Sequence, residues 1–176
     1  MLIHRLFMSA TLILGGARSG KSNHALRYAE ALAQRRVFIA TAQPFDVEMT
    51  ERIDRHKADR GSGWSTVEAP LEINRALKAQ LQGDRVCLVD CLTLWLSNLM
   101  HYDENIESEI DQLCFLIDES TEPLVFVSNE VGMGLVPETP LGRAFRDAQG
   151  RLNQRVAAVC DRVEFVAAGI PLRLKG

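Results

Sequence analysis

The sequence lacks closely paired cysteines, long apolar runs and excess positive charge, and each absence removes a class of function. Cys87, Cys91, Cys114 and Cys160 form no C-x-x-C pair. Three of them sit inside apolar runs, so reduced, buried thiols in a cytoplasmic protein are expected rather than a zinc site. Nothing approaches the roughly 18 consecutive apolar residues of a membrane-spanning helix. The opening MLIHRLFMSATLILGG has the early Arg5 and apolar stretch of a signal sequence, but Thr11 to Leu14 leads directly into a glycine-rich turn. Cleavage there would destroy a strand. The net charge is −3, without the basic excess that nucleic acid or an anionic membrane favours, so a small charged ligand is the expected partner. None of the four histidines pairs with another at helical metal-ligand spacing, and there is no G-x-S-x-G elbow. With no repeat, low-complexity tract or linker, 176 residues at 47% hydrophobic read as one domain, 1–176, around one core.

Short apolar runs supply that core. TLILG (Thr11 to Gly15), VFIA (Val37 to Ala40), VCLVD (Val86 to Asp90), LVFVS (Leu124 to Ser128) and VEFVAA (Val163 to Ala168) lack clean alternation, as expected of strands buried on both faces. Helical stripes lie between them: Ala25, Leu26, Ala29, Leu32 and Ala33; Ile106, Ile110, Leu113, Cys114 and Ile117; and Leu141, Phe145, Ala148, Leu152, Val156 and Val159. Thr139-Pro140 starts the last as N-cap and first helical residue. Alternating strands and helices imply an α/β three-layer domain, with a mostly parallel sheet and helices on both faces. The closing AAGIPLRLKG predicts an antiparallel C-terminal edge hairpin, turning at Gly-Ile-Pro.

One motif announces chemistry. Gly15, Gly16, Ala17, Arg18, Ser19 and Gly20 lead into Lys21 and Ser22, between a strand and a helix. In that context the spacing is a phosphate loop: glycines let successive N–H groups turn toward phosphate oxygens, and the helix adds its positive dipole end. Lys21 is then expected to reach the β- and γ-phosphates, and Ser22 to hold Mg²⁺. Asp90, ending VCLVD, is a second candidate Mg²⁺ ligand, with a helix N-cap as its alternative. Glu130 is a further strand-end acid, acting either near the phosphates or as a loop-shaping residue.

His56 stands apart from the other histidines. It follows a stripe of Phe45, Met49 and Ile53, expected to be buried, and it is flanked by Arg55 and Lys57 with Arg60 close behind. Cationic neighbours discourage the imidazolium and leave a neutral, nucleophilic ring beside phosphate-binding charge; the bland alternative is a structural histidine.

Together GGARSGKS (Gly15 to Ser22), IATAQ (Ile39 to Gln43), DVEMTERIDRHKADRGSGW (Asp46 to Trp64), VDCLTLWLSNL (Val89 to Leu99) and SNEVGMGLVPETPLGRAFRDAQGRLNQRVA (Ser128 to Ala157) resemble one family. It is that of the bifunctional adenosylcobinamide kinase / adenosylcobinamide-phosphate guanylyltransferases. The resemblance implies a P-loop, RecA-like fold and two reactions at one nucleotide site. ATP or GTP phosphorylates adenosylcobinamide; GTP then guanylylates a histidine, and GMP passes to adenosylcobinamide phosphate to give adenosylcobinamide-GDP. Carried over by position, the guanylylated histidine falls on His56. The nucleotide contacts fall on Gly15 to Ser22, on Thr41, Ala42 and Gln43, on Lys57, Ala58, Asp59 and Arg60, and on Glu68 and Asp90. Asp90 stands where some members carry Glu. The resemblance also implies a homotrimer, which the apolar LTLWLSNLM helix would support unless it packs in the core. Residues 1–10 precede the family's usual start, with Met8 an alternative initiator to Met1. Because guanylylation needs the α-phosphate near His56, either the His56 helix or the nucleotide pose is expected to change between the two reactions.

Two other functions fit the phosphate loop. A plain P-loop kinase for another metabolite would form no covalent enzyme-GMP. A RecA-like NTPase switch would respond to a macromolecule; the acidic balance counts against it.

Overall fold

A computed structural model of the protein describes residues 10–45, 47, 50, 51, 53, 57, 60–81 and 83–176. In chain order the elements are β1 (Ala10–Gly15), α1 (Lys21–Leu32), β2 (Arg35–Ala40), β3 (Trp64–Glu68), α2 (Ile73–Gln80), β4 (Arg85–Asp90), α3 (Leu92–His101), α4 (Ile106–Glu119), β5 (Leu124–Asn129), α5 (Pro140–Val159), β6 (Arg162–Ala167) and β7 (Ile170–Lys175). Val47, Thr50, Glu51, Ile53, Lys57 and Arg60 also have helical backbone.

The strands form one seven-stranded sheet, ordered β3-β2-β4-β5-β1-β6-β7. Every pairing is parallel except β6 with β7, the expected antiparallel edge. Burial on both faces explains the unalternating strands. In β5, Val125 and Val127 pack with Ala25 and Ala29 of α1, while Phe126 faces Trp95 and Leu152 across the sheet. The second face carries α2 to α5 and most of the core. Burial of a side chain such as Leu92, Leu96 or Leu99 contributes about 1.5–3 kcal/mol. Trp95 is fully buried there and donates its indole N–H to the Leu71 carbonyl at 2.8 Å.

Four details depart from expectation. Strand β3 carries no apolar run: it is an edge strand, and Ser65, Thr66 and Glu68 face solvent. Phe45 is 66% exposed rather than buried. It precedes the helical residues and sets its ring edge-on to His101, with centroids 5.9 Å apart. Leu141 is 70% exposed, lying in the first turn of α5 before that helix reaches the sheet. The terminal hairpin turns at Ala168 and Gly169, both at positive φ, so Ile170 and Pro171 already belong to β7. Helix α3 buries Leu92, Trp95, Leu96 and Leu99 in the chain's own core, which removes it as an apolar surface for a second subunit. Met8 and the first nine residues lie outside the described residues.

Candidate functional site

The phosphate loop follows β1, and its shape depends on two glycines. A Cβ on Gly15 would lie 2.5 Å from Ser19 Oγ and 2.6 Å from the Val166 carbonyl, so nothing larger fits. Gly20 has φ 92°, open to glycine and strained for other residues, and immediately precedes α1. The loop is braced from outside, since the Gly169 N–H donates to the Ser19 carbonyl at 2.8 Å. Lys21, only 8% exposed, donates its ammonium to the Gly16 carbonyl at 3.0 Å. Its flexible stem lets it swing to a bound anion.

Beside the loop, the tips of β2 and β4 are fastened together. The Thr41 hydroxyl donates to the Cys91 carbonyl and accepts from the Cys91 N–H, both at 2.8 Å. Asn98 donates to the carbonyls of Thr41 and Pro70, each at 2.9 Å. Asp90 is not the N-cap of α3: that role falls to Cys91, whose Sγ accepts from the Leu94 N–H at 3.5 Å. The Asp90 carboxylate is thereby left for the cleft. Burial, with Asp90 adjacent, pushes the Cys91 thiol up to about 11, so it is no nucleophile at neutral pH.

A cleft of about 280 Å³ opens between these tips and Thr50, Ile53, Lys57 and Arg60. Ser22 and Asp90 both line it, as do Lys57, Arg60 and Glu68, and Phe38, Ile53 and Leu94 supply apolar lining. The half-buried Ile53 thus faces a cleft rather than the core; Met49 lies outside the described residues. The Arg60 guanidinium lies 3.7 Å from the Phe38 ring centroid. Burial lowers its pKa while Asp90 opposes the change, and it remains a cation. Lys57 pairs with Glu68 at 3.1 Å; both are exposed, so the pair contributes little to stability and yields readily to a ligand. Ser19 Oγ and Gln43 Oε1 are buried without a partner among the described residues. A loop with no room for a Cβ at Gly15, leading into the N-terminus of α1 and accompanied by the cations Lys21, Lys57 and Arg60, suits a polyphosphate. A hydroxyl and a carboxylate on one cleft suit Mg²⁺, which takes few protein oxygens and keeps several waters.

Residues 11–174 match the family model for "cobinamide kinase / cobinamide phosphate guanyltransferase". The chain belongs to this family. Among relatives of this cobinamide kinase / guanyltransferase is a Pseudomonas aeruginosa protein named "bifunctional adenosylcobalamin biosynthesis protein CobP". It is 44% identical over 167 residues, spanning 94% of this chain and 96% of that protein. The Salmonella typhimurium "bifunctional adenosylcobalamin biosynthesis protein CobU" is 39% identical over 182 residues, covering 93% and 98% of the two chains. Among solved structures, an ATPase domain superposes with a TM-score of 0.50 at 15% identity, covering 90% of this chain and 69% of that one. A Pyrococcus horikoshii protein gives 0.56 at 8% identity, covering 96% and 86%. These two likenesses concern the fold alone.

The cobinamide kinase / guanyltransferase assignment bears on residues that the geometry gathers unevenly. Ser22, Ala42, Lys57, Arg60, Glu68 and Asp90 share the cleft. Thr41 is fully buried and acts there as a fastener rather than a surface contact. Arg18 is exposed at φ 55° on the rim of the loop. His56, Ala58 and Asp59 lie outside the described residues. Glu130 takes the loop-shaping alternative, its carboxylate accepting from the N–H groups of Gly132 at 2.9 Å and Met133 at 3.0 Å. The cluster behind the loop is not legible in sequence: Glu164 on β6, 3% exposed, accepts from His24 of α1 at 2.6 Å and from Arg162. Burial opposes ionisation of Glu164, yet the His24 and Arg162 hydrogen bonds prevail and hold its pKa below the usual carboxylate range. Among the described residues, no helix is long and apolar enough to cross a membrane.

Proposed function

We propose that the protein phosphorylates adenosylcobinamide with ATP or GTP and then transfers GMP from GTP to adenosylcobinamide phosphate through a guanylylated His56. The observation that carries this reading is the single cleft joining the phosphate-loop Ser22 and the strand-tip Asp90 to Lys57 and Arg60, which flank His56 in sequence. In a member of the cobinamide kinase / guanyltransferase family, one nucleotide site beside that segment supports both reactions.

In the first reaction, the acceptor hydroxyl oxygen attacks the γ-phosphorus. The bond from that phosphorus to the β–γ bridging oxygen breaks, the nucleoside diphosphate leaves, and the hydroxyl proton passes to solvent. Lys21 leaves the Gly16 carbonyl to stabilise the charge moving onto the bridging oxygen, and the loop N–H groups orient the β-phosphate. In the second, a neutral ring nitrogen of His56 attacks the α-phosphorus of GTP, and pyrophosphate departs. A phosphate oxygen of adenosylcobinamide phosphate then displaces the ring nitrogen, breaking the P–N bond and releasing adenosylcobinamide-GDP. Lys57 and Arg60 supply positive charge near the α-phosphate, while Ala42, Gln43 and Glu68 complete the nucleotide contacts and the buried Thr41 fastens the strand tips behind them. Ala58 and Asp59 belong to the same segment. Ser22 and Asp90 are the residues to hold Mg²⁺, which when bound neutralises phosphate charge.

The same reading makes the protein a cytoplasmic homotrimer of one-domain subunits, with corrinoid and nucleotide rather than nucleic acid as its partners. Purified protein given adenosylcobinamide, GTP and Mg²⁺ is expected to yield products heavier by one phosphate and then by one GMP. Phosphorylation without any GMP adduct would instead select the plain kinase.

A further inference from the structure

Strand β5 lies directly between β4, which ends at Asp90, and β1, which ends at Gly15 of the phosphate loop. Whatever stands at its tip therefore lies between the candidate metal carboxylate and the phosphate cradle. That residue is Asn129, in register with Gly15, and its backbone is held from both sides. Its N–H donates to the Thr93 hydroxyl of α3 at 2.7 Å, and its carbonyl accepts from the Asn153 amide of α5 at 3.0 Å. The next N–H, of Glu130, donates to the Gly15 carbonyl at 3.1 Å.

Strand alternation assigns the side chain to a face. Val125 and Val127 pack on the α1 face, whereas the Ser128 hydroxyl bonds Asn153 and Gln149 of α5 on the other. Asn129 therefore projects on the α1 side, the side of Lys21 and Ser22. Among the described residues, its half-buried side-chain amide has no hydrogen-bond partner. Two helices thus fix the backbone of Asn129, and an amide that bonds no other described group is open to a ligand bound at the phosphate loop.

We propose that the Asn129 amide donates a hydrogen bond to the terminal phosphate of the bound nucleoside triphosphate, making it a catalytic residue of the kinase reaction, with Thr93 and Asn153 as its positioning residues. This rests on the phosphate-loop reading. The group is neutral, so it contributes direction to the γ-phosphoryl oxygens where Lys21 contributes charge, and a diphosphate lacks the oxygen it addresses.

The test compares Mg²⁺-dependent binding of GDP and of the β,γ-imido analogue of GTP to wild type, Asn129→Ala and Asn129→Asp. Wild type is expected to prefer the triphosphate, and Asn129→Ala to lose about tenfold of that preference with GDP affinity unchanged. Asn129→Asp, which sets a negative charge against the phosphate, is expected to lose more. Single-turnover phosphorylation of adenosylcobinamide should fall about 10²-fold or more in Asn129→Ala without a matching rise in KM for the acceptor. Thr93→Val should show a weaker form of the same pattern, rescued by Thr93→Ser. Equal losses for GDP and the analogue, or an unchanged preference in both Asn129 variants, would overturn the proposal. A wild type that binds neither nucleotide would instead overturn the phosphate-loop reading beneath it.

Discussion

Replacing Asn153 by alanine tests whether the polar cluster behind β5 holds the fold as its geometry requires. The Asn153 amide accepts from the Ser128 hydroxyl at 2.7 Å and from Gln149 at 2.9 Å, and it donates to the Asn129 carbonyl at 3.0 Å. Ser128 and Gln149 are fully buried. Truncation strands an N–H, an O–H and a carbonyl in a site already containing one orphan, Gln149 Oε1. Each stranded group costs about 1–3 kcal/mol. Water entering the alanine-sized gap recovers part of this, so the expected loss is about 3 kcal/mol. At roughly 2–4 °C per kcal/mol for a chain of this size, Tm falls by about 6–12 °C. Urea unfolding followed by two spectroscopic probes measures the loss. Ser128→Ala combined with Asn153→Ala should then cost less than the sum of the two, because both variants break the same contact. A loss under about 1 kcal/mol, or strictly additive losses, would refute the network.

Further expectations concern charge, thiols and the loop. Because the folded Glu164 carboxyl titrates below its ordinary value, its contribution is present above about pH 4.3 and disappears as pH falls through the lower folded pKa. Glu164→Gln should thus lower stability at pH 7 and flatten its decline in acid, as read by chemical unfolding at several pH values. Burial pushes the thiols of Cys87 and Cys91 up to about 11, so both should resist iodoacetamide at pH 8 in the native protein and react quickly once it is unfolded. Gly20→Ala places alanine at φ 92° with its Cβ 3.1 Å from the Gly169 Cα. It should cost about 1–2 kcal/mol and weaken nucleotide binding, whereas a Cβ on Gly16 meets nothing within 4 Å, so Gly16→Ala should leave thermal stability nearly unchanged. Chelating Mg²⁺ should abolish both transfers, and Asp90→Asn should raise the Mg²⁺ concentration needed for half-maximal activity.

What the sequence disclosed follows from how each element is buried. Strands covered on both faces must be continuous apolar runs, so β1, β2, β4, β5 and β6 are legible. The edge strand β3 shows solvent-facing Ser65, Thr66 and Glu68 and carries no such signal. The phosphate loop reads directly because Gly15, Gly20, Lys21 and Ser22 stand in one contiguous motif, although the contacts that demand its glycines, Val166 against Gly15 and Gly169 against Gly20, come from the far end of the chain. Fasteners such as Thr41 with Cys91 and Thr93 with Asn129 join residues 50 and 36 positions apart, with no periodicity to mark them. The Cys91 cap is hidden for another reason: cysteine is not among the residues that ordinarily accept at helix N-termini. Phe45 and Ile53 keep helical spacing, but the first lies outside the helix and the second lines a cleft, and apolar spacing does not distinguish a core from a ligand-sized gap.

A covalent guanylyl-histidine, in a chain that also carries a kinase site, is what separates the proposed enzyme from a plain kinase. To detect it, purified protein is incubated with Mg²⁺ and GTP labelled at the α-phosphate and then denatured, and the acid-labile label retained by wild type and by His56→Ala is counted. Label on wild type and none on His56→Ala, with nucleotide binding intact in both, is the predicted result. Wild type that binds GTP and Mg²⁺ yet retains no label would contradict it, reduce His56 to a structural or phosphate-contacting residue, and leave a plain kinase in its place.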